Sequence, residues 1–206
     1  MNPALILDLA AVAVFALTGA LVASRAQLDI VGFVFVACLT AVGGGTLRDL
    51  FLDRNPVFWV ASPSVIFVAT AAAVTVFFTA HLLESRYRAI LWLDACALAV
   101  AVPAGVAVTQ ALGQPWPIVV FMGVATGCFG GLMRDVVCNE VPLVLKQGEL
   151  YVTAAFAGSV AATLAGPWLG AGAGLALCGA VTFGLRAGSM AFGWQLPVYR
   201  ARPPRR

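Results

Sequence analysis

Seven long apolar runs separated by short polar interruptions make up this chain. They lie at about 4–24, 30–53, 62–83, 90–111, 117–139, 150–166 and 168–190, each close to the length that crosses a hydrocarbon layer. A backbone in lipid has to satisfy its own hydrogen bonds, and runs of this kind do so as helices. The pattern therefore predicts an all-α polytopic membrane protein with seven transmembrane helices. The sixth run is short and meets the seventh at Gly166-Pro167-Trp168. A turn that tight makes those two helices antiparallel neighbours. The first run resembles a signal peptide, with small residues at Ala20–Ser24, but it lacks a basic leader and carries Asp8. It reads as a retained first helix.

The runs are not independent of one another. Sliding the sequence on itself by 86 residues, the distance from Arg48 to Arg134, superposes Asp8 on Asp94, Gly19 on Gly105, Thr40 on Thr126 and Pro56 on Pro142. Gly44-Gly45 falls on Gly130-Gly131 at the same offset, and between Asp8 and Pro56 there are 14 identities in 49 positions. Alanine, valine and glycine give some of these by chance, but not the fixed spacing of Asp, Gly-Gly, Arg-Asp and Pro. Each copy holds three spans, an odd number, so the second enters from the opposite face: an inverted 3+3 repeat with one extra helix. The expected organisation is a single transmembrane domain over 1–206. Repeat one covers about 4–83 and repeat two about 90–166, followed by a seventh helix at about 168–190 and a basic tail at about 195–206.

Composition narrows the class further. With 62% hydrophobic and 10% charged residues among 206, and a mean hydropathy of +0.97, the chain is not a soluble domain. The net charge of +3 forms no basic patch with interleaved aromatics, which excludes a nucleic-acid binder. Placement of the cations sets orientation. With the N-terminus outside, the inner loops hold Arg25, Arg86, Arg88 and Lys146 and the tail holds Arg200, Arg202, Arg205 and Arg206, against Arg54 on the outer side. This predicts a bacterial inner membrane protein with its C-terminus in the cytoplasm. Cys38, Cys96, Cys128, Cys138 and Cys178 form no CxxC pair and read as small core residues; with one histidine, His81, no metal site or cofactor is expected. His81, beside Glu84 and Arg86, reads as interfacial. No nucleophile–base set, phosphate loop or metal cluster appears, so an enzyme is not expected.

Two stretches carry the candidate chemistry: Gly43-Gly44-Gly45-Thr46-Leu47-Arg48-Asp49 and Gly130-Gly131-Leu132-Met133-Arg134-Asp135. Glycines loosen a helix, and charges inside an apolar span mark function because they are costly there. Read as breaks, they would aim half-helix carbonyls at mid-membrane, a cation-holding arrangement. Read as packing sites, they would let helices approach closely. Adjacent helical residues point about 100° apart, so Arg48 and Asp49 are not expected to face one cavity. Arg48 lies about 18 residues into a span that starts inside, roughly 27 Å from the inner face. Asp8 lies at that same outer level. The expected partners are thus Asp8–Arg48 and, by the repeat, Asp94–Arg134, and not Arg48–Asp135. Thr18, Thr40, Thr46 and Thr126 either line a polar path or bond back to their own helices. Pro103 is expected to bend span four. Small residues every four positions (Ala154, Gly158, Ala162, Gly166 and Ala176, Ala180, Gly184, Gly188) suit tight helix packing, either inside the bundle or between subunits, with packing inside the protomer expected.

These residues resemble the prokaryotic TRIC (trimeric intracellular cation) channels over nearly the whole chain. The resemblance implies a homotrimer with a pore in each protomer, passing monovalent cations, chiefly K⁺. It also implies that the second and fifth helices line the pore and are kinked at Gly43–Gly45 and Gly130–Gly131, with Arg48 and Arg134 beside the kinks. Membrane lipid is the other expected partner. The second copy departs from the pattern, with Phe129 for the first glycine and Leu132 for the threonine. No Thr-Val-Gly-Tyr-Gly filter is present, so sharp K⁺ over Na⁺ selectivity is not expected. A secondary transporter for a small solute such as an amino acid is the alternative, since inverted repeats with broken helices are common in that class.

Overall fold

The computed structural model describes residues 3–83, 85–146 and 149–197; Glu84 and the tail arginines Arg200, Arg202, Arg205 and Arg206 lie outside the described residues. Within them are α1 Pro3–Arg25, α2 Ile30–Phe51, the short α3 Phe58–Ala61, α4 Ser64–Thr79, α5 Arg86–Ala111, α6 Trp116–Val137, α7 Val152–Leu169 and α8 Ala171–Phe192. All but α3 belong to the seven helices long and apolar enough to cross a membrane. Local chemistry sets several of the ends. Asp29 caps α2, its side chain accepting from Gly32 N at 2.7 Å. Ser85 starts α5 one turn earlier than hydropathy suggests, because its hydroxyl accepts from Arg88 N and draws Arg86 and Arg88 into the helix.

Three expectations need correction. The turn between the last two helices is at Gly170, with φ +83°, and not at Gly166-Pro167-Trp168. Proline inside the last turn loses one hydrogen bond, whereas a left-handed glycine ends the helix outright. The first small-residue stripe packs inward, with Ala154, Gly158 and Ala162 buried. Ala176, Ala180 and Gly184 of the second stripe face out of the protomer. α8 packs instead through Gly174, Cys178, Thr182 and Arg186. Among the five cysteines, Cys128 and Cys178 are buried, but Cys96 is exposed.

The repeat is visible in the contacts. A Cβ on Gly19 would lie 2.6 Å from Thr40 Oγ1 and 2.8 Å from Val36 O; one on Gly105 would lie at those same distances from Thr126 Oγ1 and Met122 O. Each contact is the other displaced by 86 residues. α1 thus seats on α2 as α5 seats on α6. Between the halves the contacts are reciprocal: Gly44 of α2 lies against the Thr126 carbonyl of α6, and Gly130 of α6 against the Thr40 carbonyl of α2. Exchange of equivalent partners is what a two-fold axis produces, and that axis passes through the α2–α6 crossing.

Candidate functional site

The crossing is a point of direct backbone contact between the two halves. At Gly44 and Gly130 there is no room for a methyl group, because backbone meets backbone. α2 is helical from Ile30 to Phe51 and α6 from Trp116 to Val137, straight through both glycine motifs. The broken-helix reading, with unwound carbonyls aimed at mid-membrane, is therefore corrected. A missing Cβ lets two helices touch without opening either, and here the glycines are used for that close approach.

The threonines divide by role. Thr18 donates to Phe15 O at 2.8 Å, Thr40 to Val36 O at 2.6 Å and Thr46 to Val42 O at 2.7 Å. These bonds consume the donors inside their own helices, and Thr46 also accepts from Trp59 Nε1 at 2.9 Å. Thr126 is different: its buried hydroxyl makes no hydrogen bond among the described residues. It faces a cleft of about 20 Å³ lined also by Asp8, Val12, Phe15, Gly44 and Phe58, a volume that admits about one water. Its lining joins Asp8 of α1 to Gly44 and Thr126 of the crossing.

A charge cluster flanks the crossing on each side. On α1, Asp8 accepts from Arg48 Nη1 at 2.9 Å and Nη2 at 3.4 Å. On α5, Asp94 accepts from Arg134 Nη1 at 2.9 Å. Both arginines are fully buried, Asp94 is too, and the Asp8 side chain is 12% exposed. A buried ion pair of this kind adds little net stability, but removal of one partner strands the other.

Asp49 and Asp135 do something the 100° argument did not anticipate. Arg48 Nε donates to Asp49 Oδ1 and Arg134 Nε to Asp135 Oδ1, each at 2.8 Å. A long arginine folds back along its own helix and spans the angle between neighbours. The second carboxylate oxygen then accepts a backbone N–H from the loop beyond: Phe58 N at 2.8 Å for Asp49, Leu143 N at 2.9 Å for Asp135. The Arg–Asp motif thus fastens the loop that follows each helix, while the arginine reaches across to the helix that opens its repeat.

The two clusters are not identical. Tyr151, just before α7, donates its hydroxyl to Asp94 Oδ2 at 2.6 Å; the equivalent place in the first half is occupied by buried Val65. The α8 residue Arg186 is fully buried, with its guanidinium 5.1 Å from the Tyr151 ring centre and Nη2 at 2.7 Å from Glu149 Oε2. On the other side, Arg54 donates to Asp49 Oδ1 at 2.8 Å, where its repeat equivalent is Glu140. The Asp8 cluster thus opens to a cleft, and the Asp94 cluster is sealed by a tyrosine and an extra cation. Sequence reasoning passed over Tyr151 and Arg186. Arg186 carried a usable signal as the one charged residue within the seventh run. Tyr151 carried none, because a tyrosine at a span end reads as an interfacial anchor.

The described residues contain no group of three or more acidic, cysteine or histidine side chains placed to hold a metal. His81 lies exposed at the end of the α4 segment.

The sequence profile of the family described as "Glycine transporter" matches residues 5–81 and again 91–167. The inner membrane protein YadS of Escherichia coli K12 is 41% identical over 160 residues, covering 75% of this chain and 74% of its own. A solved TRIC trimeric intracellular cation channel orthologue from Rhodobacter sphaeroides superposes with a TM-score of 0.90 at 40% identity, covering 94% of this chain and 100% of that one. A second solved structure, from work on conductance through TRIC cation channels, gives 0.85 at 26% identity and covers 97% and 98%. The relatives are membrane proteins and channels rather than enzymes.

Proposed function

The chain belongs to the TRIC channel family, which the glycine-transporter profile describes, and from that premise we propose that it is a monovalent cation channel, chiefly for K⁺. Each protomer of a homotrimer holds its own pore. α2 and α6 line it and bend, without unwinding, at Gly43–Gly45 and Gly130–Gly131. The observation that carries this reading is the cleft from Asp8 to the α2–α6 crossing, with Thr126 as its free hydroxyl. A carboxylate at the mouth attracts cations, and a closed glycine crossing is a constriction that a small change in helix direction widens. The chain forms one transmembrane unit with repeats at about 4–83 and 90–166.

Planar-bilayer recording of the purified protein tests this. Discrete unitary currents that reverse with the K⁺ gradient are expected, with Na⁺ passing as well because no carbonyl filter is present. The family's description favours a second reading, carriage of a small amino acid. Saturable glycine uptake, competed by unlabelled glycine and without unitary currents, would establish that reading in place of the channel.

Homologues are inner membrane proteins, and the proposed orientation places Arg25, Arg86 and Lys146 on the cytoplasmic side. A single cysteine at position 2, in a chain with its native cysteines removed, is expected to react with an impermeant maleimide from the periplasm. One after Arg202 is expected to react only after the membrane is opened. Labelling of both from one side would mean an even number of spans.

A further inference from the structure

Glu149, Leu150 and Tyr151 are held one after another, each by a different contact. Glu149 Oε2 lies 2.7 Å from Arg186 Nη2, the Leu150 N–H donates to Ser189 Oγ at 3.0 Å, and Tyr151 Oη donates to Asp94 Oδ2 at 2.6 Å. Tyr151 N donates to Glu149 O at 3.0 Å, which closes the three residues into one turn. Two of the three grips come from α8, where Arg186 and Ser189 stand three residues apart and so share a face. Nε and Nη1 of buried Arg186 have no hydrogen bond among the described residues. Its hold on this turn rests on Glu149 and the Tyr151 ring.

Ser189 does not act alone. A hydroxyl has one proton to give, and Ser189 donates it to Trp194 O at 2.9 Å. With the proton committed there, the oxygen is left to accept from Leu150 N. Trp194 reaches that place because Gly193, at φ +69°, ends α8 and turns the chain back. Gly188 leaves the room, since a Cβ there would fall on the indole ring. Phe192 stacks on the indole with 5.7 Å between ring centres. A left-handed glycine with an apolar residue folded onto the last turn is an ordinary helix ending. Such an ending does not call for a hydroxyl that joins the returning chain to a loop from elsewhere in the fold. Leu150 and Ser189 are both buried, so the amide has no water to turn to if the serine moves.

We propose that the segment after α8 is a strap: Trp194, seated on Gly188, sets Ser189, and Ser189 holds the 149–151 turn so that Tyr151 stays on Asp94. The inference rests on the channel reading, in which the Asp94 cluster flanks the crossing, and adds a regulatory contact to that half. The first half has no counterpart, since Pro63, Ser64 and Val65 stand at the equivalent positions and α8 lies outside the duplication. Lifting the strap frees Tyr151 and unseals the Asp94 cluster.

Trp194→Ala in the full-length protein tests this. Trp168→Ala, which removes an 88% exposed indole at the far end of α7, is the control and is expected to match wild type. In Trp194→Ala, hydrogen exchange at the Leu150 amide is expected to quicken about fivefold, the worth of one hydrogen bond. Cys128 is buried in the same apolar cluster as Tyr151. In a chain whose other cysteines are replaced by alanine, it is expected to react with N-ethylmaleimide faster by about that factor, and open probability in planar bilayers is expected to rise with it. Gly188→Ala pushes the indole away while raising the helix propensity of α8, and is expected to act in the same direction. Wild-type exchange at Leu150 in both strap variants would overturn the strap. Faster exchange with unchanged Cys128 labelling, or with unchanged open probability in a conducting protein, would overturn its hold on the Asp94 cluster. Absence of unitary currents from the wild-type protein would fail the channel reading alone, with exchange and labelling still deciding the strap.

Discussion

Gly44→Ala and Gly130→Ala are each expected to lower the thermal stability of the purified protein sharply, while Gly43→Ala leaves it almost unchanged. All three substitutions add one methyl group and gain about 1 kcal/mol of helix propensity. What differs is the atom the methyl would meet. At Gly44 it is the Thr126 carbonyl and at Gly130 the Thr40 carbonyl, both main-chain atoms in the facing helix with no rotamer to escape into. Relief requires α2 and α6 to move apart, and overpacking of this kind costs about 1–3 kcal/mol, at times more. At Gly43 the nearest atom is the Met133 sulfur at 2.8 Å, the end of a flexible side chain, and the next is 3.5 Å away. There the propensity gain offsets the adjustment. Melting in detergent reads the stability, and K⁺ flux into liposomes per assembled oligomer reads the pathway. A Gly44→Ala protein that melts with wild type and conducts like it would remove the crossing from both the fold's weak points and the pore.

The second large effect falls on the sealed charge cluster. Asp94→Asn keeps the side chain's shape, yet it leaves buried Arg134 with only Asp135 and leaves Tyr151 Oη beside a neutral acceptor. Breaking a buried pair by removing one partner costs about 3–5 kcal/mol. Asp8→Asn makes the same chemical change at the repeat-related position, but Asp8 is 12% exposed at the mouth of a cleft. The Asp8 carboxylate, not the buried Arg48, is the part-exposed member of that pair, so its own desolvation is incomplete and a loss about half as large is expected. Tyr151→Phe removes one hydrogen bond to a charged group, about 1.5–3 kcal/mol, and has no counterpart in the first half. Combining Asp94→Asn with Arg134→Gln should recover part of the loss, since the stranded charge is gone. Chemical or thermal denaturation of these four variants and of Arg134→Gln checks the ranking and closes the cycle. Strict additivity in the Asp94–Arg134 cycle, or an Asp8→Asn cost equal to that of Asp94→Asn, would refute the account of the two clusters.

The charge pairs also mark how far sequence reasoning reaches. Asp8–Arg48 and Asp94–Arg134 followed from depth alone, because a charge in hydrocarbon has few permissible partners and counting along a helix fixes its level. The bond of each arginine to its own neighbour did not follow, since helical angles describe where Cβ points and a guanidinium lies several bonds further out.

The sequence by itself determined the seven spans, the duplication and the levels of the buried charges. All three are one-dimensional: hydrocarbon thickness sets run length, and an 86-residue offset preserves spacing. Tertiary structure decided what lies between chains of atoms. Gly44 and Gly130 are packed against opposing carbonyls within unbroken helices, although glycine permits either a break or a contact and only the partner helix selects between them. Tyr151 and Arg186 join the Asp94 cluster and nothing equivalent joins that of Asp8. That asymmetry has two sources: Tyr151 stands where the first half has Val65, and Arg186 comes from α8, which lies outside the duplication and packs on α5 and α7 of the second half. A repeat in sequence guarantees equivalent local geometry, but the environment of each copy is set by what the rest of the fold lays against it.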